Sequence, residues 1–538
     1  MAPPRLKFAK KNPEVAKLVD ADDYLEAGDS HEEAMRKHRA GDPYKSLRFA
    51  DRALDVYSQG LAKFPRNFDL AYNKARLELE KATDPVLSQA LDGPALGVLR
   101  QALQSHQYAR DLDPTHPDTL FNMAQVMTSM AEIMAEDSEG LDMEAAQYMQ
   151  QALEVQTRCY EIQFGLLKKA RELDQELRDT NEDESSRMDS TEDAPTSAST
   201  TQEDSQEEQW VTVEEPITEV NLLETILSQI ETLSALCSVF SAALSSSPEL
   251  ADAFTTSLSW IDSFSGSLLN ETLPALLAEN RDALASHVSD VALPKAIFTS
   301  NYLELSFRLS AIDTEKYKKE LDAAFSRPEL DSSSEDVLVA HSRALLSLQS
   351  ALADLASSGR LEPDHAALRW KVLIEAQSRL ASAANIPNLD KHTLATTHLM
   401  RGDISLLLQV LAYPPNSHPQ ARSTTPQLLK NAEVYYRNAG KLFGSLGRSA
   451  DEERSASELK GAVVGILQQV TTTQALAGGS SSGQDNTGTL IAVSASPDQI
   501  ELALRPSLKS KGQQWTRDHV EDMISEGLIL PEVLSALL

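Results

Sequence analysis

The residue types that usually carry chemistry are thinly spread in this chain. Among its 11 histidines there is no His-Glu-x-x-His, and no pair stands one helical turn apart with a carboxylate behind it, as a helix-borne zinc site requires. His31 and His38 share a helix face, but two turns hold them roughly 10 Å apart along the axis, too far to grip one ion. His392 and His398, six positions apart, fall on different faces. His106 and His116 are expected on a helix surface and in a loop, solvated or half-buried. A cysteine nucleophile needs an electropositive setting. Cys159 has Arg158 beside it but also Glu161, and Cys237 lies among Ala, Leu and Val, so both read as core. The Gly-Gly-Ser-Ser-Ser-Gly run at 478–483 lacks the following lysine and flanking strand of a phosphate loop. The expectation is no catalytic residue, no metal, no cofactor and no enzyme.

Composition points the same way. The chain has 538 residues, enough for two or three folding units, and only 5% of them are aromatic, while Ala, Leu and Ser abound. That mixture suits helix-on-helix packing better than a sheet. A formal charge of −32 disfavours phosphate neutralisation on nucleic acid and favours either simple solubility or a basic partner. Two cysteines support no disulfide framework, which fits a reducing compartment. No stretch is expected to reach the roughly 20 apolar residues of a membrane span. The start lacks the apolar core of a secretory signal. The expected location is the cytoplasm. The short basic cluster Arg5, Lys7, Lys10 and Lys11 adds nuclear import as an alternative to an ordinary solvated terminus.

The elements that would position any site are helices, and two of their junctions repeat. Ala53-Leu54, Gly60, Pro65 and Leu70-Ala71-Tyr72-Asn73-Lys74-Ala75 return 49 residues later as Ala102-Leu103, Ala109, Pro114 and Thr119-Leu120-Phe121-Asn122-Met123-Ala124. Small residues sit at matching offsets, and a proline stops one helix before the next begins. Helices are predicted over 21–39, 44–63, 68–82, 98–112, 117–135 and 143–177. Leu47, Ala50, Leu54, Tyr57 and Leu61 mark the buried face of the second.

From 179 to 215 the chain carries thirteen acidic residues and one basic residue, which predicts a disordered insert. Ser186, Ser190, Thr200, Thr201 and Ser205 each precede an acidic residue by three positions, the pattern of acidophilic-kinase acceptors. Trp210 stands alone in this stretch, as a docking element or as the start of packing back onto the helices. A stripe of Leu222, Leu223, Ile226, Ile230, Leu233 and Leu236 then resumes the helical period. Further helices are predicted over 237–246, 250–264, 270–290, 294–309, 314–325, 335–357, 363–384, 389–412, 426–446 and 451–475. Trp260, Trp370 and Trp515 fall in helical contexts and read as core. After a Gly/Ser-rich linker, short helices near 497–505, 514–526 and 530–537 close the chain. The tail is apolar at Ile524, Leu528, Ile529, Leu530, Val533, Leu534, Leu537 and Leu538, which predicts docking on the protein's own body ahead of docking on a partner. The domain reading is 1–178 helical repeats, 179–215 acidic insert, 216–475 a second helical region, 476–492 linker and 493–538 short helices.

The repeats resemble tetratricopeptide repeats. Ala40-Gly41-Asp42-Pro43-Tyr44 is similar to that family's inter-helix turn, Ala53, Gly60 and Pro65 to its second-helix positions, and Tyr72 with Ala75 to the helix that follows. Gly97, Ala102, Ala109, Pro114, Phe121 and Ala124 match again, with fainter traces at 236–258, 387–412 and 428–446. Gly41 to Ala53 is longer than the family's interval, and Asp84 to Leu96 intervenes between the repeats, so the chain resembles a divergent member. The resemblance implies an all-α, right-handed helical solenoid whose groove holds a peptide or a partner's helix. One subclass clamps acidic chaperone tails with Lys, Arg and Asn. Asn73 and Asn122 match its asparagine, whereas Asp69 and Asp118 occupy the places of its basic residues. An electronegative groove repels a carboxylate tail and suits a basic client. The expected function is a non-enzymatic scaffold, an adaptor or assembly chaperone for a ribosomal protein, a histone or a lysine-rich segment, bound near Asp69, Asn73, Asp118 and Asn122. The alternative is a structural subunit of a larger assembly.

Overall fold

In the computed structural model the chain is all-α, with no strand among the described residues. The structure describes residues 18–88, 90–137, 142–188, 216–357, 359, 365–477 and 497–530. Two compact units emerge, Met1–Thr232 with Leu268–Leu284, and Leu233–Ser267 with Ala285–Leu538.

The first unit holds α1 (Ala21–His38), α2 (Pro43–Lys63), α3 (Phe68–Thr83), the short α4 (Pro85–Ser88), α5 (Ala95–Leu112), α6 (Pro117–Asp137) and α7 (Asp142–Met188). Their ends follow local chemistry. Asp20 caps α1 through a reciprocal box with Asp23, Asp42 accepts from the Lys45 amide with Pro43 at the first turn, and Asn67 caps α3. Helices pack on their neighbours in chain order, α1 on α2, α3 on α5 and α6 on α7, while α1 also meets α3 and α3 meets α6. Tyr24 lies against Gly60, the Tyr57 ring against Gly28, and Ser46 donates to the Met35 carbonyl, so α1 and α2 run antiparallel. The repeat positions Ala53, Gly60, Ala102 and Ala109 are buried, as their small size suggests.

Helix α7 departs from the sequence reading. It continues ten residues into the stretch expected to be disordered, ending at Met188. No Pro or Gly lies between Gly165 and Met188, so nothing local stops it. Ser186 therefore sits on a helix. Ser190, Thr200, Thr201, Ser205 and Trp210 lie outside the described residues.

Helix α8 (Glu219–Ser246) is one continuous helix where two were predicted. By length and composition it is long enough to cross a bilayer, which corrects the expectation that no stretch comes near. Its stripe Leu222, Leu223, Ile226, Ile230, Leu233 and Leu236 is buried, and 67% of the apolar window is enclosed by protein, as in a core helix. The unit boundary falls within it. Next come α9 (Ala251–Ser267) and α10 (Leu273–Glu279), joined by a π turn at Leu268–Thr272; the single helix predicted over 270–290 is broken at Asn280.

Of these last two helices, α10 belongs to the first unit and α9 to the second, which also holds α11 (Val288–Arg308), α12 (Thr314–Phe325), α13 (Glu335–Ser357), α14 (His365–Ala384), α15 (Lys391–Val410), α16 (Pro419–Leu446), α17 (Asp451–Ala477), α18 (Pro497–Ser510) and α19 (Gln513–Ser525). Three of these run through a proline at which the sequence reading places a helix end, Pro294 in α11, Pro426 in α16 and Pro506 in α18. In α16 the turns before Pro426 bury Ala421 and Thr425, and that burial offsets one lost backbone bond. One core runs from Ala292 to Ile529 and includes Leu528 and Ile529, so this part of the apolar tail packs on its own body. Val533, Leu534, Leu537 and Leu538 lie outside the described residues.

Candidate functional site

In the first unit α3 and α6 carry the candidate binding residues. Asp69 and Asp118 are both exposed, each in the first turn of its helix, where a carboxylate also favours the positive end of the helix dipole. Asn73 and Asn122 are half-buried. The structure brings two of the four together around a residue that links both helices, Tyr72. Its hydroxyl lies near the Asn122 side chain, and burial followed by the nearby Asp118 charge raises its pKa. The Tyr72 ring lies 5.0 Å from His116 and 5.9 Å from Phe68, whose own ring is 4.7 Å from His116. His116 Nδ1 accepts from the Thr119 amide at 3.3 Å, which fixes the imidazole at the start of α6. Among the described residues no hydrogen bond joins Asp69 or Asn73 to this group.

One turn further along α3, Arg76 is engaged by the fold. Its guanidinium pairs with Glu32 at 2.5 Å and Glu80 at 3.4 Å. Glu32 is 1% exposed and also accepts from the Tyr57 hydroxyl at 2.7 Å, so one buried carboxylate ties α1, α2 and α3. Lys74 is likewise committed, to Glu78 and to Ser105 Oγ, both at 2.7 Å.

Beyond Arg76 the same face opens into a cleft of about 270 Å³, lined by Leu79 and Thr83 of α3, Gln125, Thr128, Ser129 and Glu132 of α6, and Ser228, Glu231 and Thr232 of α8. Asp118, Asn122, Gln125, Ser129 and Glu132 are spaced by three and four, one stripe along α6. The cleft offers hydroxyls, an amide and two carboxylates, and no Lys or Arg is among its lining residues. Glu231 is exposed, yet the protein around it lifts its pKa with no cation opposing the shift. Sequence reading missed Glu132 and Glu231. The stripe spacing from Asp118 contains Glu132, but nothing in the sequence indicates that α8 supplies Glu231.

The remaining chemistry-bearing residues are mostly structural. His31 and His38 both meet the Phe49 ring, at 6.3 and 5.6 Å. His106 is fully buried rather than solvated; its Nδ1 donates to the Ala102 carbonyl at 2.8 Å, and burial pushes its pKa down to about 4. Both cysteines are buried, and burial lifts the Cys159 thiol to about 12. Trp260 is 36% exposed, contrary to its core reading; Trp370 stacks on His418, and Trp515 donates its indole N–H to Glu452.

A second constellation lies in the other unit, where α12, α13 and α14 each supply one side chain. His341, 4% exposed, stacks on Phe325 with ring centroids 4.4 Å apart. Its Nε2 has no hydrogen-bond partner and lies 4.0 Å from Glu375 Oε1. Asp322 completes the group, and the three ligand atoms lie within 4.8 Å of one another. Lys318 Nζ contacts Asp322 at 2.5 Å and Glu375 at 3.4 Å, and Arg379 holds Glu375 at 2.6 Å. Burial first, and then the Arg379 charge, pushes the His341 pKa to about 4. Three helices separated by loops contribute these residues, so no local spacing in the sequence reveals them.

No family model matches the chain. Among curated proteins it is similar to the UPF0656 protein C926.02 of Schizosaccharomyces pombe, 35% identical over 157 residues. The aligned stretch covers 29% of this chain and 32% of that relative, so the chain spans about a third of the length of the protein it matches.

Proposed function

We propose that this chain is a non-enzymatic, tetratricopeptide-like interaction scaffold that acts as an adaptor or assembly chaperone for a basic client. The client class is a ribosomal protein, a histone or another lysine-rich segment. The observation that carries this reading is the cleft lined by Glu132 and Glu231, with no Lys or Arg among its lining residues, in line with Asp118 and Asn122 on α6. A lysine ammonium entering it meets hydroxyl and carboxylate acceptors. Asp69 extends the negative potential at the start of α3. The solenoid part of the reading is supported by the chain-order pairing of helices and by a shared packing device. In α1–α2 the Tyr57 ring covers Gly28 and its hydroxyl bonds Glu32; in α15–α16 the Tyr436 ring covers Gly402 and its hydroxyl bonds Asp403.

The test is fluorescence anisotropy of a labelled lysine-rich peptide against the full chain, with a glutamate-rich peptide as control. The basic peptide is expected to bind and the acidic one not to. Asp69→Lys combined with Asp118→Lys, and separately Glu132→Gln with Glu231→Gln, is expected to weaken binding at least about tenfold, the loss of two charge pairs at a partly desolvated surface. Undiminished binding by both pairs of variants, in folded protein, refutes the groove reading.

A further inference from the structure

The three-helix constellation in the second unit includes none of the proposed client-binding residues. An imidazole nitrogen enclosed in protein without a partner is destabilising, because its desolvation is not offset. His341 Nε2 is in that position, and it faces two carboxylates from different helices. The Lys318 ammonium bridges those carboxylates but makes no hydrogen bond to the imidazole. Lys318 and Arg379 thus satisfy the acids, and the imidazole Nε2 is left without a partner. A metal ion would engage all three.

We propose that Asp322, His341 and Glu375 form a binding site for a divalent transition-metal ion, Zn²⁺ foremost, which takes the position of the Lys318 ammonium. One imidazole nitrogen with two carboxylate oxygens is a donor set for zinc and its first-row neighbours, and a poor one for magnesium or calcium, which prefer oxygen alone. Zinc bonds of about 2.0–2.2 Å in a tetrahedron place ligand atoms about 3.4 Å apart. The present separations lie within 4.8 Å, so the carboxylate arms close by up to about 1.4 Å. Asp322 and Glu375 are both partly exposed and can turn, whereas His341 is fixed by its stack on Phe325. Lys318 has a flexible stem and reaches solvent, so it can swing out. Arg379 remains on Glu375 and orients that carboxylate from outside the ligand set, as outer partners of metal ligands do. Water completes the coordination.

The experiment uses the full chain, stripped with a chelator and titrated with ZnCl₂ by calorimetry, with bound metal counted by mass spectrometry. One equivalent of Zn²⁺ is expected, not displaced by excess Mg²⁺ or Ca²⁺. His341→Gln, which keeps volume and polarity, is expected to lose at least about tenfold in affinity, and Lys318→Met to gain, because the competing charge is removed. Substituting Co²⁺ should give a visible ligand-field band in the wild type that His341→Gln and Glu375→Gln both lack. Absence of saturable binding by the wild type overturns the proposal. So does binding that folded His341→Gln retains within about twofold, or a Lys318→Met variant that binds no better than wild type. Because the readout is metal content, failure here leaves the basic-client reading untouched.

Discussion

His106 is enclosed within α5 with one ring nitrogen bonded to Ala102 and the other unpartnered. Its pKa near 4 lies below the ordinary histidine value near 6.5, so the unfolded chain binds the proton more readily. The stability that comes from keeping this ring neutral is complete above about pH 6.5 and is lost as pH falls towards 4. Between pH 7 and 4.5 the wild type is expected to lose about 2–3 kcal/mol more than His106→Leu, measured by urea unfolding at each pH. An unchanged gap between the two proteins across that range counts against the buried, neutral ring. Gly28 makes a second prediction at this scale. A Cβ there would stand 2.1 Å from Tyr57 Cε1, far inside contact distance. Gly28→Ala is expected to destabilise the first unit by about 1–3 kcal/mol or more, because the buried Tyr57 ring has no free space to retreat into. A melting temperature equal to wild type would show that α1 and α2 can separate without loss. The same logic explains why a sequence motif of small residues is informative: Gly60 and Ala53 are small because Tyr24 and the neighbouring helix lie against them.

At the scale of elements, α19 is held to its unit by both kinds of force. Val520, Met523, Leu528 and Ile529 are buried in the main core, and Glu526 pairs with Lys460 of α17 at 3.3 Å. Lys460 also meets Asp403 at 2.9 Å, and burial of this group is offset by the two carboxylates around it. Leu528→Ala removes a fully packed side chain and is expected to cost about 2–5 kcal/mol. The check is limited proteolysis with chemical denaturation. If Leu528→Ala is as resistant and as stable as wild type, the tail is not part of the core. Element boundaries were most legible where a cap or breaker decides them, as at Asp42-Pro43 and Phe64-Pro65. They were misread where tertiary burial carries a helix through a proline, at Pro294 and Pro426. They were misread again where no breaker stops a helix, at the end of α7.

For the whole molecule the dominant fact is charge. A net −32 at pH 7 acts on approach more than on docking, since long-range attraction to a basic client falls off within about 10 Å at 0.1 M salt. Residues 189–215 carry nine acidic side chains and no Lys or Arg. Deleting them is expected to lower the association rate for a lysine-rich peptide several-fold at low salt and to leave dissociation nearly unchanged. Stopped-flow mixing at about 50 and about 300 mM NaCl checks this, and the difference between the proteins should shrink at the higher salt. A slower association that persists at high salt, or a faster dissociation, would mean that the segment makes specific contacts.

The all-helical class, the N-terminal repeat junctions and the buried small positions follow from local sequence alone. Hydrophobic period, caps and breakers act over a few residues, and helices satisfy their own backbone. Asp69, Asn73, Asp118 and Asn122 could be placed on their helices for the same reason. What faces what was decided only when the helices packed. Tyr72 meets Asn122 across 50 positions, α8 delivers Glu231 to a cleft begun by α3, and three separate helices gather Asp322, His341 and Glu375. Such contacts depend on the rotation and register of whole helices, which are set by the burial of many side chains at once, and no short stretch of sequence carries that information.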